Sequence, residues 1–194
     1  MAPLTALASA LGLAWSSSVS LYATVAFTGA AGRLGWVTLP EGLRVLENPW
    51  VLAMALALTA VEVAASLVPG IATAWEAAHV AVRPVAAAAL AVLATWGSSP
   101  ALVVVAALLG GGLGAATSTT KLKLRAAVDA SPEPVSNAVA TTAELSTVAG
   151  MAWLAWSHPW IALLVALATL AALALVARAI WRAIRRAAGW VQGG

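Results

Sequence analysis

Two acidic residues stand inside apolar sequence. Glu62 lies 13 residues beyond Pro49, and Glu144 lies ten beyond Pro134. At ~1.5 Å of rise per residue, helices opening at those prolines carry both carboxylates well into a hydrocarbon slab. A charge held there costs at least ~2.5 kcal/mol, so such groups normally face a bundle interior or a watery cavity. Binding or relaying a cation or a proton is the chemistry they suggest. The plainer alternative is a neutral carboxyl that pins a neighbouring helix by a hydrogen bond.

Hydroxyl residues cluster in two apolar runs, as Ser16, Ser17, Ser18 and Ser20 and again as Thr117, Ser118, Thr119 and Thr120. Successive helical residues differ by about 100°, so four neighbouring hydroxyls cannot share one face. A locally unwound segment is expected in each run, where freed backbone groups and hydroxyls would coordinate an ion or an anionic headgroup. Small hydroxyl residues also serve simply for close helix packing. Asn137, Thr141 and Glu144 recur at spacings of four and three, which places them on one helix face as a polar track.

A second set with that spacing is Glu76, His79 and Arg83. It reads either as an interfacial helix whose charges meet water and headgroups or as a gate or phosphate clamp beside Arg125. Lys121, Lys123 and Arg125, followed by Asp129, Glu133, Ser136 and Asn137, form a basic mouth that would attract anions. Gly110-Gly111-Gly112 with Gly114 is a small-residue packing surface; without the lysine and the flanking strand it is no phosphate loop.

The elements that must position these residues follow from composition. Of 194 residues, 62% are apolar and 9% charged, with mean hydropathy +0.95, whereas a soluble domain carries about 25% charge. An all-helical integral membrane protein is expected. The formal charge of +3 comes from bases that flank apolar runs, where they meet lipid headgroups rather than nucleic acid. No cysteine is present, which excludes disulfides, thiol nucleophiles and cysteine-held metals. Two histidines are too few for a multi-histidine metal site. Neither cofactor nor metal is expected, and with no Ser/His/Asp set the chain does not read as an enzyme.

Six spans of ~20 residues are expected: about 4–28, 49–67, 80–96, 101–120, 135–156 and 160–177. Asn48-Pro49 opens the second as N-cap and first-turn proline. Pro69-Gly70 closes it, and a short amphipathic piece with Trp75, Glu76 and His79 follows. Gly97-Ser98-Ser99-Pro100, Ser131-Pro132-Glu133-Pro134 and Ser157-His158-Pro159 are the later breaks. Arg83, Lys121, Lys123, Arg125, Arg178, Arg182, Arg185 and Arg186 then fall on one face, against Arg33 and Arg44 on the other. The positive-inside rule puts the richer face and both termini in the cytoplasm.

The chain is expected to form a single membrane domain, 1–194, with halves near 1–98 and 99–190. Gly12 with the serine run, Pro40-Glu41 and Glu62 appear again in order as Gly114 with the Thr/Ser run, Pro132-Glu133 and Glu144. Three spans per half would invert the second half, the arrangement of many secondary transporters. Broken or re-entrant segments are expected in helices 1 and 4.

Gly12 with the small-polar run and Tyr22, then Glu62 through Pro69-Gly70, Trp75, His79 and Arg83-Pro84, form the first part of a wider pattern. Lys121, Arg125, Ser131-Pro132-Glu133-Pro134, Ser136-Asn137 and Glu144 complete it. Across nearly the whole chain this pattern resembles the domain of unknown function 4126 family of bacterial membrane proteins. The resemblance implies a polytopic bacterial membrane protein and brings no activity with it. That family's acidic residues near the positions of Ser66 and Ala72, and its asparagine near Ser17, are absent here, so it implies no metal site.

The expectation is therefore a bacterial inner-membrane protein moving a small solute or ion, coupled to protons or cations through Glu62 and Glu144. Its partners are the bilayer and that solute, with a homo-oligomer left open. The rival is a lipid-handling or scaffold protein without an aqueous pathway.

Overall fold

In the computed structural model, which describes residues 2–68, 70–129 and 134–191, the secondary structure is helical throughout the described residues. The elements are α1 (Pro3–Val19), α2 (Leu21–Arg33), a 3-10 helix at Glu41–Glu47, α3 (Pro49–Ser66), α4 (Ile71–His79), α5 (Val82–Ala94), α6 (Pro100–Asp129), α7 (Pro134–Ser157) and α8 (Pro159–Val191). Asn48 caps α3 as its sequence suggests, its side chain accepting from the Trp50 amide at 2.9 Å. Pro69 and Ser131-Pro132-Glu133 lie outside the described residues.

Helix α1 is the axis of the molecule. Every residue from Ala8 to Val19 is buried, because α5, α6, α7 and α8 all pack around it. Small residues make that approach close. A Cβ added at Gly12 would lie 3.1 Å from the Cβ of Ala162 and 3.3 Å from that of Ala155. On α6, Gly110 and Gly114 sit one turn apart, and a Cβ at either would come within 2.8 Å of Ala91 or Ala87 on α5. This is small-residue packing of the kind that lets helices associate in lipid, where no hydrophobic force drives them together.

The outer helices show the opposite surface. Leu56, Leu108, Leu164 and Leu175 are exposed on α3, α6 and α8, a spread of apolar side chains too extensive for a water-facing monomer. Among the described residues three helices are long and apolar enough to cross a membrane: Pro49–Ser66, Pro100–Val128 and Pro159–Val176. The α4–α5 pair, bent by 51°, makes a fourth when it is counted as one span. Several apolar helices of this kind suit a multi-pass membrane protein.

The first apolar run is broken, and the fourth is not. Ser20 adopts an extended conformation, φ −144° and ψ 108°, between α1 and α2. Helix α6, by contrast, runs for 30 residues straight through Thr117–Thr120, contrary to the break expected there. Thr120 donates back to the Ala116 carbonyl at 2.8 Å and Thr119 is exposed, while the Thr117 and Ser118 hydroxyls are buried without a hydrogen-bond partner. Helix α6 also reaches well past residue 120, to Asp129, and thereby carries Lys121 and Arg125 on regular helical geometry.

Candidate functional site

The break at Ser20 organises the site. Leaving the helical conformation strips backbone groups of partners, and a buried unpaired carbonyl is costly. The Thr24 hydroxyl donates to the Ser20 carbonyl at 2.8 Å and meets the Ser16 hydroxyl at 2.9 Å. The carbonyl of Val19, last residue of α1, is taken by the Lys121 ammonium at 2.5 Å. One turn further along α6, Arg125 donates to the carbonyl of Ser66, last residue of α3. Two cations four residues apart on one helix thus cap the C-terminal ends of two others, where the helix dipole favours positive charge.

The carboxylates complete a buried charge network. The Ser20 hydroxyl donates to Glu62 Oε2 at 2.5 Å, and Arg83 Nη2 lies 2.7 Å from Glu62 Oε1. Arg83, with no exposed surface, also grips Glu76 through both of its terminal nitrogens. Lys121 Nζ lies 2.9 Å from Glu76 Oε1 and 2.9 Å from Glu144 Oε2. Arg125 Nη1 is 3.9 Å from Glu144 Oε1. Three carboxylates and three cations alternate across α3, α5, α4, α6 and α7, the pairing that buried ions require.

The sequence-predicted residues divide accordingly. Glu62, Glu76, Arg83, Lys121, Arg125, Glu144 and Ser20 come together. This sets aside the water-facing interfacial helix for Glu76 and Arg83: both are buried, because α4 presents Glu76 inward against α6. Arg83 is likewise closed to a phosphate, its guanidinium being held by Glu62 and Glu76. His79 turns elsewhere. The Trp75 carbonyl 2.9 Å from its Nδ1 can only accept, so Nδ1 carries a hydrogen, and Nε2 is hydrogen-bonded with the Tyr22 hydroxyl at 3.0 Å. Ser17 and Ser18 donate to the Ala14 carbonyl of their own helix at 2.9 and 2.6 Å. Lys123, Thr119 and Thr120 stand outside the cluster, with Lys123 exposed.

Beside the network lies a cavity of about 380 Å³ among α1, α6, α7 and α8, within the usual range for small-molecule sites. Lys121, Arg125 and Glu144 mark its polar end, while Leu124, Val128, Ala140 and Ala172 contribute to apolar walls. Glu144 is half-buried, with 25% of its side-chain surface accessible. Trp15 Nε1 and Thr117 Oγ1, both on cavity-lining residues, are buried without a hydrogen-bond partner. Asn137 and Thr141, on the Glu144 face of α7, are also buried with their side-chain polar atoms unpartnered. Buried polar groups are nearly always satisfied, by protein or by water, so these atoms on α7 call for partners beyond the chain's own side chains. Among the described residues no group of three His, Cys, Asp or Glu could hold a metal ion.

Sequence reasoning missed Trp15, the Val19 and Ser66 carbonyls, and Thr24. A tryptophan in the middle of an uncharged run, one residue before four closely spaced serines, was the available signal for Trp15. Nothing in side-chain types announces which backbone carbonyl will be freed.

Comparison of the chain with curated proteins and with solved structures finds no match. The sequence model described as domain of unknown function (DUF4126) matches residues 7–179, and the chain belongs to that family.

Proposed function

We propose that this is a transporter-like protein of the bacterial inner membrane that moves a small solute or ion. In this reading the chain forms one membrane domain. It crosses six times in two three-span halves of inverted topology, with both termini in the cytoplasm. The α1–α2 pair is the broken first span, and α4–α5 is the third, bent at its entry. Glu144 is the carboxylate that meets the solute or the coupling ion, and Glu62 positions Arg83 and the Ser20 break.

The observation that carries the proposal is the placement of the cavity. It lies where a broken helix, a charged network and unpartnered polar groups converge, and discontinuous helices form such sites in secondary transporters. A solute with an apolar body and one polar group would match the apolar walls and the polar end.

A lipid-handling reading has one observation in its favour. Ala143, Thr147 and Ala172 line the cavity and are exposed, and Ala172 falls within the membrane-crossing stretch of α8. An amphiphile could enter there sideways.

Liposomes holding the purified protein, screened for flux of small organic solutes and for flipping of a fluorescent phospholipid, separate the two. Transport predicts solute flux above protein-free liposomes that Glu144→Gln abolishes while the fold is kept. Flux insensitive to Glu144→Gln, or none across the panel, sinks the proposal; lipid flipping without solute flux favours the rival.

A further inference from the structure

The Lys121 ammonium has three hydrogens, and three oxygens surround it. These are the Val19 carbonyl at 2.5 Å, Glu76 Oε1 at 2.9 Å and Glu144 Oε2 at 2.9 Å. They come from α1, α4 and α7, and Lys121 reaches them from α6. Each oxygen is of the kind that binds hard cations: a backbone carbonyl freed at a helix C-terminus, and two carboxylates. The Thr117 hydroxyl, one turn before Lys121 on α6, is buried, has no partner and lines the same cavity as Val19, Lys121 and Glu144.

We infer that Lys121 is the tethered occupant of an alkali-cation site, formed by the Val19 carbonyl, Glu76 and Glu144 at the end of α1. Charge explains why the occupant is built in. Glu62, Glu76 and Glu144 balance Arg83, Arg125 and Lys121. Without Lys121, three carboxylates face two guanidinium groups, and the vacated place carries one excess negative charge among oxygen ligands. A free sodium or potassium ion would restore the balance. The tether also fixes the break, because an ion bound to a lysine cannot leave, and it makes the wild-type network indifferent to sodium. This inference stands independently of the transport reading, since it is read from stability rather than flux.

The test uses full-length protein in lipid nanodiscs, melted in sodium, potassium or N-methylglucamine chloride at equal ionic strength. Wild type should melt at one temperature in all three. Lys121→Ala should melt lower in N-methylglucamine and recover by several degrees in sodium or potassium, rising with concentration as mass action requires. The double variant Lys121→Ala, Glu144→Gln removes one ligand charge and should lose that cation dependence. Equal melting of folded Lys121→Ala in all three salts overturns the inference, and so does a Lys121→Ala protein that no alkali salt rescues. Cation dependence that persists unchanged in the double variant overturns the assignment as well.

Discussion

Arg83 Nη2 lies 2.7 Å from Glu62 Oε1, joining the first turn of α5 to the last turns of α3, with both side chains withdrawn from the surface. The same guanidinium grips Glu76 on α4. A planar fork with five donors can serve two carboxylates on two helices at once, which a lysine cannot do. Arg83 therefore clamps the bent α4–α5 pair to α3, and everything Lys121 touches at Glu76 depends on that clamp.

Arg83→Gln should be the most damaging single change in the network. It leaves two carboxylates buried with less compensation, and breaking a buried pair from one side costs about 3–5 kcal/mol. Arg83→Lys should recover little of this. Arg83→Gln combined with Glu62→Gln should recover more, because one uncompensated charge disappears with the partner. Melting temperatures of the four proteins in one detergent decide it; an Arg83→Gln protein as stable as wild type would show that the pairing contributes nothing.

The serine run should split under mutation. Ser20→Ala removes the donor to Glu62 Oε2 and should cost about 1–3 kcal/mol, the penalty for leaving a buried acceptor short. Ser17→Ala and Ser18→Ala remove hydroxyls that bond only to Ala14 of their own helix, and each should change stability by less than ~0.5 kcal/mol. A denaturation series comparing the three variants tests the difference; equal effects would mean that the break at Ser20 has no special dependence on its hydroxyl.

How far the sequence reached is clear from these same residues. Types and helical spacing were enough to single out Glu62, Glu144 and the Asn137–Thr141–Glu144 face, since acids and amides in apolar sequence are conspicuous, but they gave Lys121 and Arg125 only as part of an anion-attracting mouth, whereas both are buried on α6. They also marked Ser16–Ser20 as a place for unwinding. They failed at Thr117–Thr120, which look alike on paper but stay in a regular helix: Thr120 bonds back to its own turn and Thr119 is exposed, while Thr117 and Ser118 are buried without a partner. They failed again at Arg83, whose partners lie on α3 and α4: periodicity shows which residues share a face, and only packing shows what that face meets. The capping of α1 by Lys121 joins residues 102 apart in sequence, beyond the reach of any local pattern.

The glycines of α6 offer a sharp contrast. A Cβ at Gly114 would lie 2.8 Å from Ala87 Cβ and 3.1 Å from Pro84 Cα, whereas one at Gly112 would meet nothing within 4 Å. Gly114→Ala should therefore push α5 away from α6 and cost about 1–3 kcal/mol, as overpacking does. Gly112→Ala should be neutral or stabilising by up to about 1 kcal/mol through helix propensity. Thermal melts of the pair measure this, and a Gly114→Ala protein that matches Gly112→Ala would contradict the close α5–α6 approach.

The cavity can be filled without touching the charges. Ala172 on α8 lines it and is exposed at its edge, so a larger side chain there can swing into the space without displacing a packed neighbour. Ala172→Phe should occupy part of the ~380 Å³ and leave the melting temperature within a degree or two of wild type, as surface changes do. In a transporter the same substitution should lower solute flux severalfold, by denying the solute room beside Glu144. Ala168→Phe, also exposed on α8 but not part of the cavity lining, should leave flux unchanged. The two variants assayed in matched liposomes separate a cavity that carries solute from one that only fills with lipid: equal flux through both would remove the cavity from the transport path.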